Sequence, residues 1–286
     1  MNHSGLVIRR LTRREFDVAI DWAAAEGWNP GLHDADVFWR ADPEGYLGAE
    51  LDGELVATGS IVSYGREFGF MGFFIVRKDL RGQGIGTKLW YHRRDVLKGR
   101  LVPKAAIGMD GVFEMQEWYA KGGFVFSHRN LRMEGVGRSS SVHSQVVELS
   151  SLPFEMLSRF DRSCFGYQRD KFLKDWVSMP NAKALGYQTG DGLGGYGVIR
   201  KCQNGFKIGP LFADDSSIAE ALFDSLVNEA VGQPIFLDLP EMNDSAMMLA
   251  RRCGMKEVFG CARMYLGAPT AIDWSRVFGI TTFELG

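Results

Sequence analysis

The sequence has little cysteine: its 286 residues include four, and all of them lie in the second half. They form no Cys-x-x-Cys pair, and no histidine stands at a spacing that zinc sites use. We therefore predict reduced, structural thiols and no bound metal. The four residues are Cys164, Cys202, Cys253 and Cys261.

Long apolar runs and an excess of one charge are also missing. No window is long enough to span a bilayer, and the first apolar residues, 6–8, suggest a strand rather than a signal segment. Lys and Arg number 33 against 35 Asp and Glu, which gives a net charge of −2 and no basic field for nucleic acid or an anionic membrane. We expect a cytoplasmic protein without nucleic-acid or membrane partners, and the sequence carries no sign of its oligomeric state.

The chain is long enough for two domains, and 45% of its residues are hydrophobic, so both halves can form a core. Residues 134–145 are rich in Gly and Ser and poor in apolar side chains, as linkers are. We place the first domain at 1–137, the linker at 138–148 and the second domain at 149–286.

The first half predicts several strands before a glycine-rich loop and one helix after it, an order typical of α+β (mixed α/β) folds rather than of alternating doubly wound sheets. Asp52-Gly53 between two apolar runs predicts a hairpin. The predicted strands are 6–11, 46–51, 55–64, 68–76, 105–109, 124–127 and 130–134, and the predicted helices are 13–26, 34–40, 87–97 and 113–121.

The second half repeats this order. A helix, Gly123 and then Arg132-Met133 correspond to a helix, Gly254 and then Arg263-Met264, at an offset of 131 residues. The match indicates a duplication. The predicted strands are 184–189, 195–201, 206–211, 235–239 and 261–266, and the predicted helices are 153–160, 171–177, 218–230 and 245–253.

The glycine-rich loop has the sequence Arg81-Gly82-Gln83-Gly84-Ile85-Gly86 and stands directly before a predicted helix. Free N–H groups and the positive end of a helix dipole favour a diphosphate, and glycine lets the backbone approach its oxygens. The even spacing of Gly82, Gly84 and Gly86 does not fit a dinucleotide-binding fingerprint, and the order Gly86-Thr87-Lys88 does not fit a P-loop. The alternative is a simple turn.

This loop resembles that of the GNAT superfamily of acyl-CoA N-acyltransferases, Gln/Arg-x-x-Gly-x-Gly/Ala, and Tyr119-Ala120-Lys121-Gly122-Gly123-Phe124 is similar to the family's Tyr-x-x-x-Gly-Phe. The resemblance covers about residues 5–135. It implies two GNAT-like domains, each a mostly antiparallel splayed sheet flanked by helices. It also implies that residues 81–87, ending at Thr87, bind acetyl-CoA, that the N–H of Ile75 or Val76 polarises the thioester, and that Tyr119 protonates the thiolate.

The sequence departs from the family pattern at several positions. Val112 stands where many members have Asn, so contacts made through that side chain must be absent or replaced. The second half has Asn243 at the equivalent place but Ala250 instead of the tyrosine, and Asp215 instead of Gly84. Because a carboxylate repels a diphosphate, we predict that the second half is a degenerate copy. Such a pairing resembles the tandem acetyltransferases with a degenerate YitH-like C-terminal domain.

By this resemblance, we expect the acceptor to be a primary amine of an unidentified small molecule or protein, which must lose a proton before or during its attack on the thioester. Asp110 is the first candidate for the base, ahead of Glu26 and His33, although an aspartate before glycine is equally typical of a turn. Trp28, His33 and Asp34 fall in the loop that faces the acceptor in this superfamily. The sequence therefore predicts an acetyl-CoA-dependent N-acetyltransferase that forms a ternary complex. The alternative is a non-catalytic acyl-CoA sensor or interaction protein.

Overall fold

A computed structural model describes residues 5–190 and 192–286. In the first half, the first helix begins with a capping box between Thr12 and Glu15, which fixes its start beside strand β1. The strands are β1 (Leu6–Arg10), β2 (Tyr46–Leu51), β3 (Glu54–Tyr64), β4 (Phe68–Val76), β5 (Ala106–Val112) and β6 (Val125–Val136), and the helices are α1 (Arg13–Ala25), α2 (Asp34–Ala41), α3 (Ile85–Arg100) and α4 (Gln116–Lys121).

The second half has the same order of elements. Its strands are β7 (Val146–Glu148), β8 (Ala182–Thr189), β9 (Gly192–Lys201), β10 (Phe206–Ala213), β11 (Pro234–Pro240), β12 (Lys256–Leu266) and β13 (Val277–Gly279), and its helices are α5 (Phe154–Phe165), α6 (Asp170–Val177), α7 (Ser216–Leu226) and α8 (Asp244–Arg252). The predicted mixed α/β fold is confirmed. Two details differ. The strands predicted at 124–127 and 130–134 are one strand, β6. The strands β7 and β13 were not predicted, because three residues are too few to show the alternation of apolar and polar side chains that marks a strand.

The two halves share one sheet because they exchange their last long strands. The strand order is β1-β2-β3-β4-β5-β12-β6-β11-β10-β9-β8-β7, with β13 beside β10. Strand β12 of the second half pairs with β5, and strand β6 of the first half pairs with β11. The predicted boundaries at 137 and 149 therefore divide the sequence repeat but not the sheet.

Each exchanged strand carries one arginine that binds an aspartate of the other half. On β12, Arg263 Nε and Nη2 lie 2.8 and 2.7 Å from the two carboxylate oxygens of Asp110. On β6, Arg132 Nε and Nη2 lie 2.7 Å from those of Asp238. All four side chains are buried. These pairs explain why Arg132 and Arg263 recur in the sequence repeat.

Both halves contain two parallel strands that pair briefly and then separate. Strands β4 and β5 pair from Phe68 to Met71 and then diverge, and β10 and β11 pair from Phe206 to Ile208. In the second half, β13 fills the gap by pairing with β10. The side-chain amide of Asn243 holds this insert in place by donating to the carbonyl oxygens of three residues: Trp274, Ser275 and Val277.

The chain continues from β13 into the core between the halves. Residues 280–286 are all buried there. The Tyr64 hydroxyl donates to the Leu285 carbonyl oxygen at 2.9 Å. A Cβ on Gly72 would clash with the carbonyl oxygen of Glu284, so glycine is needed for this close approach. The same segment thus fills the cleft of the second half and then reaches the divergence point of the first.

Candidate functional site

The glycine-rich loop forms an open start to a 16-residue helix, α3. Gly84 is the N-cap residue, no side chain caps the helix, and Gly82 and Gly84 have φ of +75° and +86°. No atom lies within 4 Å of a Cβ position on either residue. Because the first N–H groups of a helix have no partner within it, this end fits a diphosphate.

The other loop side chains hold the loop rather than a ligand. Arg81 Nε donates to the Val76 carbonyl oxygen at 2.9 Å, and its Nη2 lies 2.7 Å from Glu26. The Gln83 amide donates to a backbone oxygen of the preceding turn at 3.3 Å. Ile85 is fully buried in the core, so only its N–H faces the loop. The loop therefore presents backbone rather than side chains.

A cleft of about 540 Å³ runs from this loop along strand β4 to helix α4. At the loop end, the residues that line it include Gly84, Gly86 and Thr87. Further along it is lined by Glu26, Trp28, Phe74, Ile75, Val76, Val112, Met115, Trp118 and Tyr119. Its length and its glycine-lined entrance suit an elongated ligand that ends in a diphosphate.

One edge of strand β4 is open in the cleft. Arg77 N–H donates to the Val56 oxygen of β3 at 2.9 Å, and Val76 and Ile75 face Ala57 and Thr58 in the register. Because N–H groups of successive residues point to opposite edges of a strand, Val76 directs its N–H to the open edge and Ile75 directs its own towards β3. Of the two predicted donors, both of which line the cleft, Val76 is the one whose N–H points to the open edge.

Tyr119 lies at the inner end of the cleft. Its side chain is 5% exposed, and burial raises its pKa to about 12, with Arg93 acting in the opposite direction. The hydroxyl is therefore protonated at neutral pH and can donate a proton.

A second, smaller cavity of about 80 Å³, here called the inner pocket, begins where the cleft ends. The two cavities share Trp28, Phe74, Val112 and Tyr119. Its far side comes from β12 and from the buried segment 280–286, and it is lined there by Phe259, Cys261, Phe283 and Glu284. The second half thus contributes to the site of the first.

Asp110 lines the inner pocket, but its carboxylate is held by neighbouring side chains. Both oxygens accept from Arg263, and Oδ1 also accepts from the Asn130 amide at 2.9 Å. The equivalent pair, Arg132 with Asp238, occurs in the half without a glycine loop. These contacts favour a role in joining the strands over the predicted role as base.

The loop at residues 31–34 does not reach either cavity. The His33 ring nitrogen Nε2 lies 2.9 Å from the Asn181 side-chain oxygen. Asp34 is buried, binds Arg200 at 2.8 and 3.2 Å and accepts from the Gly31 N–H. The second half covers this loop, which the sequence of the first half alone could not show. Of the three residues predicted to bind the acceptor, Trp28 lines both cavities.

Three charged residues that line the inner pocket were not predicted as site residues, Arg93, Arg132 and Glu284. Arg93 is 1% exposed and donates to the carbonyl oxygens of Ser60 and Gly72 at 2.6 and 2.8 Å. Burial lowers its pKa to about 9. A signal for Arg93 was present: it stands four residues from both Leu89 and Leu97 on the apolar face of α3.

The corresponding helix start in the second half is closed by its own side chain. Asp215 Oδ1 accepts from the N–H groups of Ser217 and Ile218 at 2.8 and 3.0 Å. The Ser217 hydroxyl, which donates to the same oxygen at 2.7 Å, lowers the pKa of Asp215 together with these N–H groups. A carboxylate thus already takes the place that a diphosphate would need.

Comparison with known proteins gives the family. Residues 8–124 match the model of the acetyltransferase (GNAT) family, and residues 157–279 match a model described as an acetyltransferase (GNAT) domain. Holothin acyltransferase of Pseudoalteromonas sp. (strain SANK 73390) is 30% identical over an alignment of 286 positions, which covers 99% of this chain and 96% of the relative. The chain belongs to the GNAT acetyltransferase family. The prediction of a tandem GNAT acyltransferase is confirmed.

Solved structures show the same fold. A putative acetyltransferase from Pyrococcus horikoshii aligns with a TM-score of 0.85 and 24% identity, covering 100% of this chain and 98% of that one. A tandem GNAT protein from the clavulanic acid biosynthesis pathway aligns with a TM-score of 0.63 and 13% identity, covering 94% of this chain and 99% of that one. Within residues 5–190 and 192–286, no helix is long and apolar enough to cross a membrane, and no group of three or more His, Cys, Asp or Glu side chains could hold a metal ion.

Proposed function

We propose that this GNAT acyltransferase moves an acetyl group from acetyl-CoA to a primary amine of a small molecule, by direct attack in a ternary complex. The observation that carries the proposal is the meeting of two cavities at Tyr119. One cavity leads from the open helix start and suits the acyl-CoA, and the other leaves room for the reactive end of an acceptor. An amine in the inner pocket would reach the thioester from the side opposite to the diphosphate.

For each step of the proposed reaction, the chain contains a group that can perform it. The N–H groups at the start of α3 hold the diphosphate. Val76 donates its N–H to the thioester oxygen, which gains negative charge during attack, and one such donor is worth about 3 kcal/mol in enzymes where it has been measured. Tyr119 donates its proton to the departing thiolate, whose pKa is about 8.5 by analogy with cysteine.

The inner pocket favours an apolar acceptor because aromatic side chains form much of its wall, among them Trp28, Phe259 and Phe283. The name of the relative that spans nearly the whole chain makes holothin the first acceptor to test. A sensor would need the diphosphate site but not a protonated tyrosine beside a second pocket, so these features favour the enzyme.

A panel of amines, with holothin included, tests the proposal in the presence of acetyl-CoA. Release of free thiol, with mass spectrometry of the product, should show one acetyl group on the amine nitrogen. Binding of acetyl-CoA without thiol release for any amine would contradict the enzyme and favour the sensor. Parallel assays with longer acyl-CoA thioesters determine whether acetyl is the preferred group.

A further inference from the structure

The proposed function needs a group that accepts the proton of the attacking amine, and the carboxylates predicted for this role are already paired. Glu26 binds Arg81, and Asp110 binds Arg263 through both oxygens. A carboxylate whose lone pairs are occupied by a guanidinium is a weak base. The base must therefore be sought among the other residues that line the inner pocket.

Glu284 is the carboxylate of the inner pocket that lacks such a partner. It is 6% exposed, and among the described residues it has no ion pair within 4 Å and no side-chain hydrogen bond. Its backbone lies against Gly72, where β4 leaves β5. Glu284 therefore lies at the divergence point of the strands and lines the same cavity as Tyr119.

The titratable and charged groups around Glu284 come from four strands and one helix. Asp238 and Asp34 are paired with Arg132 and Arg200, whereas the Lys207 ammonium donates to the Trp28 carbonyl oxygen at 2.8 Å. Burial raises the pKa of Glu284, and Lys207 and Arg132 oppose that rise. A raised pKa makes the carboxylate a stronger base than one in water. The surrounding titratable and charged side chains are Arg132 on β6, Arg200 on β9, Lys207 on β10, Cys261 on β12 and Asp34 on α2.

We propose that Glu284 is the general base that takes the proton from the acceptor amine. This inference rests on the proposed function. As the amine nitrogen forms its bond to the thioester carbon, one N–H bond breaks and an O–H bond forms at the Glu284 carboxylate. The C–S bond then breaks, and the Tyr119 proton passes to sulfur. Exchange with solvent removes the proton from Glu284 and returns one to Tyr119, so the products are the amide and the free thiol.

The test compares wild-type protein with Glu284→Gln and Glu284→Ala, using acetyl-CoA with holothin and benzylamine as probe acceptors. Glu284→Gln should lower kcat/KM by about 100-fold or more, the effect typical of a lost general base, with CoA affinity unchanged. The acid limb of the wild-type pH profile should disappear, because it reports ionisation of Glu284. In Glu284→Ala, added formate should raise turnover in a concentration-dependent way by occupying the space left by the side chain.

Glu241→Gln is the matched control, because this half-exposed carboxyl pairs with Arg129 outside the pocket, and it should behave as wild type. Wild-type kcat/KM and an intact acid limb in Glu284→Gln would overturn the inference. Failure of formate to raise the turnover of Glu284→Ala at unchanged CoA affinity would do the same. Wild-type protein that releases no thiol with any amine of the panel would instead overturn the proposed function, and this inference with it.

Discussion

The two halves share a framework and differ at the places where we propose that acyl transfer occurs. In both halves a helix connects two diverging parallel strands, and both halves receive a strand whose arginine binds an aspartate. In the first half the helix start is open and the strands enclose a cleft. In the second half Asp215 caps the helix and β13 fills the gap. Features present in both halves therefore serve the fold, and features of one half serve the chemistry.

The largest expected effect comes from giving the first half the helix cap of the second. Gly84→Asp should weaken CoA binding by about a thousandfold, since two like charges about 4 Å apart near a protein surface repel by roughly 4 kcal/mol. Isothermal titration calorimetry measures this loss. Gly84→Asn is the matched control, because asparagine has the same shape and tolerates positive φ but carries no charge. An equal loss in both variants would assign the effect to the backbone rather than to charge.

Next in size is the loss of the shared arginine–aspartate pairs. Asp110→Asn and Asp238→Asn should each lower the free energy of unfolding by about 3–5 kcal/mol, because each leaves a buried guanidinium without its carboxylate. Urea denaturation measures the free energy of unfolding of both variants. Asp238→Asn is the control, because it lies in the half without an open cleft. A stable Asp110→Asn variant that lacks turnover would restore Asp110 as the base.

A smaller loss is expected from Tyr119→Phe, whose counterpart in the second half is Ala250. Turnover should fall by about 100-fold at unchanged CoA affinity, because the ring still packs and the proton donor alone is removed. With a pKa of about 12, Tyr119 stays protonated, so the wild-type activity should show no alkaline limb from Tyr119 at mildly alkaline pH. Tyr91→Phe, on the exposed side of α3, is the control. Wild-type kcat in Tyr119→Phe, with chemistry rate-limiting, would make Tyr119 a packing residue.

The smallest effect is expected from removing the cap of the second half. Asp215→Gly should lower stability by only a few tenths of a kcal/mol, as glycine is tolerated at an N-cap. Calorimetry should still count one CoA per chain, because β13 continues to fill the cleft. A second site in this variant would show that the cap alone prevents binding there.

The sequence contains the local signals of the site but not the partners that each half finds in the other. The glycine loop and the Tyr119 motif could be recognised because each depends on residues adjacent in the chain. The strand exchange could not, since Arg132 and Arg263 stand in equivalent repeats and either could pair within its own half. Glu284 was missed for a related reason: its position follows from β13, which is three residues long.

The strand exchange also sets an order of events during synthesis. Strand β5 ends at Val112, but its neighbour β12 starts at Lys256, so the ribosome must add more than 140 residues before the two can pair. At typical translation speeds this interval lasts on the order of ten seconds. During that time the nascent first half has a bare sheet edge, which is prone to aggregation unless a chaperone or the emerging chain covers it. The first half is therefore synthesised first, but its sheet is complete only when the end of the chain has been made. A prematurely terminated chain would lack β12, the strand that covers the edge of the first half.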